Sequence, residues 1–315
     1  MTEYNLTAYL IIMGFSLVCA CLLFAFSVRK RQVLPAGKAF PLGMCVLVLA
    51  PVFGILGAKL FYFIFRLFYL IEMGAGEYWL SLRTEELSYY GGIAGVTLSV
   101  SLAAAVFRLS PKQTLNSFAA AGALLAAAAR FAECCLFPTG LGTYLENPLP
   151  FPLAVNVVYS EDYSESILAV YMFEGFFSLA AFVLSLVHRK EPHRFIRTLF
   201  YLCLPQIILE SLRTDTIDIL LLHAEQLVCY LFVQGVLVWY AFANGRHRFS
   251  SWIPAVTGLV VCGFTVVEEF MLEGKILVGG DVVPRWITYT AMAAGLVAIA
   301  VAEHRADRRF VSQSL

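Results

Sequence analysis

Charge is scarce in this sequence and favours neither sign. Only 14% of the 315 residues are Asp, Glu, Lys or Arg, and 22 bases stand against 22 acids. A balanced chain has no basic excess to argue for nucleic acid, and none is expected as a partner. So few charges also cannot clothe a water-soluble globule of ordinary surface. Metal-ligand spacing is missing as well. The eight cysteines, among them Cys19, Cys21, Cys45, Cys134, Cys135 and Cys203, lie inside apolar runs and read as small buried hydrophobes. No basic stretch precedes the first apolar run, about Ala8–Val28, and its length is enough to span a bilayer. It is expected to be a transmembrane helix rather than a cleaved signal.

What remains is hydrophobic: 60% of the residues are apolar or aromatic and the mean hydropathy is +0.78. Apolar runs fall at about 8–28, 39–71, 90–107, 116–137, 165–187, 195–212, 218–242, 252–272 and 286–302. Each approaches or exceeds the roughly 20 residues that cross the hydrocarbon core. The expected fold is therefore an all-α polytopic membrane bundle of about nine transmembrane helices. The second run is too long for one straight helix, and Pro51, Gly54 and Gly57 suggest a kink or a re-entrant break within it. Fifteen of the 22 basic residues lie in one set of alternate connections, four in the other and three within spans. Lys and Arg accumulate on the cytoplasmic side, so the N-terminus is expected outside and the C-terminus in the cytoplasm. Two outer connections are long. Glu72–Tyr89, with Glu77, Trp79, Glu85 and Glu86, suits an amphipathic arm on the outer leaflet. Pro138–Tyr163 carries no Lys or Arg and holds Pro148, Pro150 and Pro152, which suits an external loop, ordered or mobile.

An ionisable side chain in lipid costs several kcal/mol unless it is paired or hydrated, so those within spans point to function. They are Lys59, Arg66, Arg130, Glu133, Glu174, Glu210 and Glu225, with His223 and Gln226 beside the last. With helix directions alternating, Arg130, Glu133, Glu210 and Arg213 sit near the outer ends of their spans, and His223, Glu225 and Gln226 enter from the same side. Two readings stay open. The groups line a cavity that takes a phospholipid head group, or Arg130–Glu133 and Glu210–Arg213 are i,i+3 pairs that only neutralise each other.

The order of short motifs adds a resemblance. F-G-I-L-G-A-K-L-F-Y-F runs from Phe53 to Phe63 and L-S-Y-Y-G-G-I-A-G from Leu87 to Gly95. A-A-R-F at Ala128–Phe131, F-E-G at Phe173–Gly175, E-S-L-R-T-D at Glu210–Asp215 and A-E-Q-L at Ala224–Leu227 follow. In that order, over about Ala8–Phe242, the chain resembles the prolipoprotein diacylglyceryl transferases of bacterial inner membranes.

The resemblance implies an enzyme that moves the diacylglyceryl group of phosphatidylglycerol onto the thiol of a lipobox cysteine in a precursor protein. The protein would be a multi-pass protein of the bacterial cytoplasmic (inner) membrane, with no cofactor and no metal expected. Position by position, Arg130 matches the family's signature arginine and Arg213 the arginine closing the sixth-span segment, with Glu210 at its acidic partner. Lys59 stands where the family has an arginine, Gln226 at a glutamine, and Gly91 and Gly92 at the glycine pair. Arg130, Arg213 and Lys59 would then contact the lipid phosphate.

The departures are equally specific. The family's histidine before the glycine pair is Tyr90 here, the asparagine after the signature arginine is Glu133, a later glutamate falls on Pro138, and a sixth-span arginine aligns with Gln206. The fifth-span H-P-x-Q-L-Y-E segment is not recognisable in Ser164–Val170. Either the chemistry persists through other groups, with Tyr90, Glu133 or His223 moving the proton, or the scaffold binds phospholipid or a membrane partner without transferring the group. A solute transporter would also explain charges in spans, but its expected internal repeat is not evident. Residues 1–243 are expected to form the transferase-like core of seven helices, and 244–315 an appended two-helix segment with a short basic tail.

Overall fold

The structure is a computed structural model that describes residues 5–31, 36–72, 86–145, 147, 149–160, 163–189, 191–219, 222–245, 249–272, 274–278, 281–282 and 284–314. Most of the expected amphipathic arm, including Glu77, Trp79 and Glu85, lies outside the described residues, as do Pro148, Lys190, Arg246 and Arg248.

Among the described residues, nine helices are long and apolar enough to cross a membrane. They are α1 (Leu6–Lys30), α2 (Ala36–Glu72), α3 (Tyr89–Val106), α4 (Pro111–Ala132), α5 (Val170–Val187), α6 (Arg194–Leu212), α7 (Ala224–Ala243), α8 (Phe249–Leu272) and α9 (Arg285–Ser314). The chain is thus a multi-pass membrane protein whose side chains, rather than water, must satisfy every polar group within the bilayer. The helix ends follow local chemistry. Asn5 caps α1 by accepting the Ala8 amide, Ser88 caps α3 through the Gly91 amide, and Pro111 opens α4 where a missing N–H costs nothing. The second apolar run is one continuous helix through Pro41 and Pro51, with no re-entrant break. At roughly 55 Å it is longer than the hydrocarbon core is thick.

Contacts divide the chain into two compact units. The first comprises Met1–Leu202 with Arg213–Ile217, the second Cys203–Leu212 with Asp218–Leu315.

In the first unit α1 packs on α2 and α4, α2 on α3, and α4 on both α3 and α5. Its core joins Phe24 and Val28 of α1, Leu42 and Val46 of α2, Val100 of α3, and Phe118 and Leu125 of α4. Phe24 meets Phe118 edge to face at 5.4 Å. Alanines 119, 120, 121, 123, 126 and 127 of α4 are all buried, which lets neighbouring backbones come close. The tightest approach is between α2 and α3. A methyl on Gly57 or Gly91 would strike the other's carbonyl, and one on Gly95 would strike the Phe53 carbonyl, whereas Gly92 has ordinary space.

The described residues of the long connection between α4 and α5 include a hairpin. β1 (Ala154–Ser160) pairs antiparallel with β2 (Tyr163–Leu168), Ala154 opposite Leu168 and Val157 opposite Glu165. Its inner face packs Val157 and Ile167 against Leu141, Ala169 and Tyr171. The expected fifth span therefore starts later, at Val170, because residues 165–168 belong to the hairpin.

In the second unit α7 packs on α8 and α9, and α8 on α9. Short antiparallel pairs β3 (Asp218–Ile219) with β4 (Leu222–His223), and β5 (Leu277–Val278) with β6 (Asp281–Val282), join its helices. Buried polar bonds tie α9 to the end of α7. Tyr240 donates to Asp307 at 2.9 Å and to Glu303 at 3.4 Å, and Asn244 Nδ2 to the Ala306 carbonyl at 2.8 Å.

The glycine seam generates a test. Gly91→Ala and Gly95→Ala should each cost about 1–3 kcal/mol through forced separation of the helices, read as a lower thermal midpoint in detergent. Gly92→Ala should stay within about 0.5 kcal/mol of the parent. An unchanged midpoint for Gly95→Ala would refute direct backbone contact between α2 and α3.

Candidate functional site

The end of α4 carries the most buried charge in the first unit. Arg130 sits in its last turn, where a cation suits the helix dipole, and Glu133 caps the helix as the first residue of a short 3-10 turn, Glu133–Cys135. The guanidinium is 1% exposed. Its Nη1 donates to Glu133 Oε1 at 2.7 Å, and its Nε lies 3.3 Å from Glu174 Oε2. The Tyr89 ring stacks on it, 3.6 Å from Cζ to centroid, and the Tyr89 hydroxyl donates to the Ala126 carbonyl at 3.1 Å. Glu174 comes from the start of α5, which approaches α4 closely because Gly175 lies against the Phe131 ring.

Arg213 follows α6 and completes the cluster. Its Nη1 donates to Glu174 at 2.8 Å and Glu133 at 3.4 Å, while Nε and Nη2 grip Asp215 at 2.9 and 2.8 Å. Both arginines therefore share the same two glutamates. Asp215 also accepts the Gly140 amide at 3.0 Å. Gly140 has φ +76°, and a methyl there would crowd the Glu133 carboxylate. The hairpin is pinned to this corner by a bridge between Gly142 and Arg213, and by the Thr214 amide and hydroxyl donating to the Leu141 carbonyl at 3.1 Å each.

Burial alone would push the Asp215 carboxyl up. The Arg213 guanidinium and the Gly140 amide outweigh it and hold the group below the usual carboxylate range.

The cluster unites Arg130, Glu133 and Arg213 from the sequence-derived candidates. Glu174, noted there as an intramembrane charge and within the F-E-G motif but given no role, is its centre. Tyr89 and Asp215 were not singled out. Asp215 stands in the quoted E-S-L-R-T-D motif two residues after Arg213, spaced for a local ion pair, but Tyr89 carries no signal that separates it from Tyr90. Tyr90 is buried, and its hydroxyl donates to the Leu202 carbonyl at 3.0 Å. Lys59 is paired with Glu86 and lies 5.2 Å from the Phe63 ring centroid. Gly91 serves the α2–α3 seam.

Glu210, His223 and Gln226 belong to the second unit. Glu210 accepts from Gln206 Nε2 at 2.7 Å. His223 is the N-cap of α7, and its amide donates to Gln226 Oε1 at 3.4 Å. Gln226 is fully buried and donates to Glu269 at 2.6 Å, the Ile207 carbonyl at 2.8 Å and Ser211 Oγ at 3.2 Å. Ser211 also donates to Glu269. Glu269, Glu303 and Asp307 are buried acids that sequence reading passed over, since each sits in an appended helix without a motif.

Two expectations follow. Glu174→Gln leaves both guanidiniums short of charge, and should cost about 3–5 kcal/mol as a broken buried pair does. Acid should act through Asp215. Its carboxyl ionises more readily folded than unfolded, so its contribution is complete above about pH 4 and decays as pH falls through the depressed value. The thermal midpoint should drop on acidification, and Asp215→Asn should lower it at neutral pH while flattening its fall in acid.

No curated protein matches the chain. Residues 1–242 match the family model for prolipoprotein diacylglyceryl transferase, which is most of the chain and takes in Arg130, Glu133, Glu174, Arg213 and Gln226 alike. The chain belongs to the prolipoprotein diacylglyceryl transferase family, membrane transferases of lipoprotein biosynthesis.

Proposed function

We propose that the chain is a phosphatidylglycerol–prolipoprotein diacylglyceryl transferase of the bacterial cytoplasmic membrane, acting on a lipobox cysteine. The N-terminus and the Arg130 cluster face the outside. Residues 1–243 carry the chemistry, and 244–315 are an addition to that core. The observation that carries this reading is the pair of arginines, Arg130 and Arg213, held side by side across shared carboxylates at the end of α4.

In the reaction, the acceptor thiol gives its proton to a base. The sulfur then attacks the diacylglycerol carbon bonded to the phosphate oxygen, that C–O bond breaks, and glycerol phosphate leaves with the electron pair. Negative charge accumulates on the departing phosphate, where fixed guanidiniums stabilise it. Arginine suits this because it stays charged and grips phosphate through two parallel donors. Arg213, reaching across from the hairpin side, and Arg130 are the proposed phosphate contacts, with Lys59 a third cation. Glu133 is the favoured base among Tyr90, Glu133 and His223, since it touches both arginines. The Tyr90 hydroxyl is engaged by Leu202, and its role would be to hold the site's shape.

The test supplies labelled phosphatidylglycerol and a lipobox peptide to purified protein. A thioether-linked diacylglyceryl peptide is expected, and Arg130→Ala and Arg213→Ala should each cut its rate about a hundred- to thousand-fold. Lipid binding without product would instead support a relative that has lost transfer. Full activity in Arg130→Ala would remove the phosphate site.

A further inference from the structure

Where α1 ends and α2 begins, an apolar groove meets a patch of charge of one sign. The groove lies between the two helices and has a volume of about 140 Å³. Val18, Leu22 and Ala25 of α1 form one wall, and Phe40, Met44 and Leu47 of α2 the other. The helices come close at Gly43, where a methyl would lie 3.3 Å from both the Ala25 Cβ and the Cys21 carbonyl. Two small residues thus face each other, while Val18, Leu22, Phe40 and Met44 stand exposed at the rim. Both helices are long and apolar enough to span the membrane, so the groove opens on lipid. Close-packed proteins leave few voids of this size, and the bilayer offers an acyl chain to fill it.

The charge begins one turn further along. Positions 18, 22, 25 and 29 share a face of α1 by their spacing, so Arg29 continues the stripe that lines the groove. A helical side chain leans toward the N-terminus of its helix, which brings Arg29 back over Ala25. Lys30 and Arg31 follow, and Lys38 stands near the start of α2. No Asp or Glu occurs between Glu3 and Glu72. Arg29, Lys30 and Lys38 are exposed, and among the described residues no carboxylate pairs with them.

The neighbouring elements do not neutralise this patch. Arg31 donates to the Arg189 carbonyl, and Glu191, on the same connection, is engaged by Arg197 at 2.7 Å. The C-terminal dipole of α1 takes up part of the charge, but the first turn of α2 carries no acid and adds to it. Basic residues beside a span help to orient it. Here they also stand at the mouth of an apolar groove, and an anionic lipid complements both features at once.

We propose that this groove seats one acyl chain of an anionic phospholipid whose phosphate is met by Arg29, with Lys30 and Lys38 adding to the positive field. The site is remote from the Arg130 cluster. The Asn5 amide donates to the Cys135 carbonyl at 2.7 Å, so α1 starts at the Arg130 end of α4 and reaches Arg29 roughly 35 Å away along its axis. The proposal therefore does not depend on the transferase reading.

The measurement is native mass spectrometry of the full chain with phosphatidylglycerol or phosphatidylcholine added. The Arg130 cluster is the same in every variant, so differences between variants report on the groove. Phosphatidylglycerol retention should fall about fivefold in Arg29→Gln and about thirtyfold in Arg29→Gln with Lys38→Gln. Ala25→Phe, which fills the groove and leaves every base in place, should lower it about tenfold. Val183→Phe, on the exposed face of α5, should leave it unchanged. Phosphatidylcholine, with the same chains and no net charge, should be indifferent to Arg29→Gln. Parent-like retention of phosphatidylglycerol by the double variant overturns the proposal, as does an equal loss of phosphatidylcholine in Arg29→Gln. An equal loss in Val183→Phe and Ala25→Phe also overturns it, since the lipid would then be a general coat. If Ala25→Phe fails to fold, Met44→Trp at the exposed rim decides, and unchanged retention there refutes the groove.

Discussion

An ionised group in hydrocarbon has to bring its own counter-charge, and Glu174 supplies that for two arginines at once. From the start of α5 it meets Arg130 of α4 on one side and Arg213 beyond α6 on the other. Three separate stretches of sequence are thereby fastened at one point. The small residues around it serve this meeting. Gly175 lets α5 lie on Phe131, the alanine face of α4 keeps the helix close to its neighbours, and Gly140 leaves room for the Glu133 carboxylate. Two guanidiniums shared by two glutamates form an arrangement in which no single partner owns a charge.

The helices were legible because the bilayer imposes one length on every crossing, so a run such as Ala8–Val28 declares itself without reference to anything it touches. Arg130 and Glu133 were legible for the converse reason, as charges in a segment where charge is expensive. Glu174 was visible as a charge but not as the centre, because its partners are 39 and 44 residues away in sequence. Tyr89 and Tyr90 look alike in a list of residues. Only the turn of α3 decides that Tyr89 faces Arg130 and Tyr90 faces the Leu202 carbonyl. The hairpin was missed in part because its second strand merges into the apolar run of α5, and the period-two pattern of Tyr163–Leu168 is too short to outweigh it.

The appended helices illustrate a different limit. Composition marks Phe249–Leu272 and Arg285–Ser314 as spans and says nothing of what they hold. In the structure α8 delivers Glu269 to Gln226 and Ser211, and α9 delivers Glu303 and Asp307 to Tyr240. Buried polar bonds of this kind fix the rotation of one helix against another, which apolar packing alone leaves loose. The addition is thus bonded to residues of α6 and α7 rather than merely resting on lipid-facing surface.

Asp215 holds Arg213 with both oxygens and the Gly140 amide with one of them, so the side chain that steadies a cation also anchors the extramembrane hairpin. Whatever draws Arg213 toward a new anion loosens the grip on Gly140, and whatever displaces the hairpin loosens the grip on Arg213.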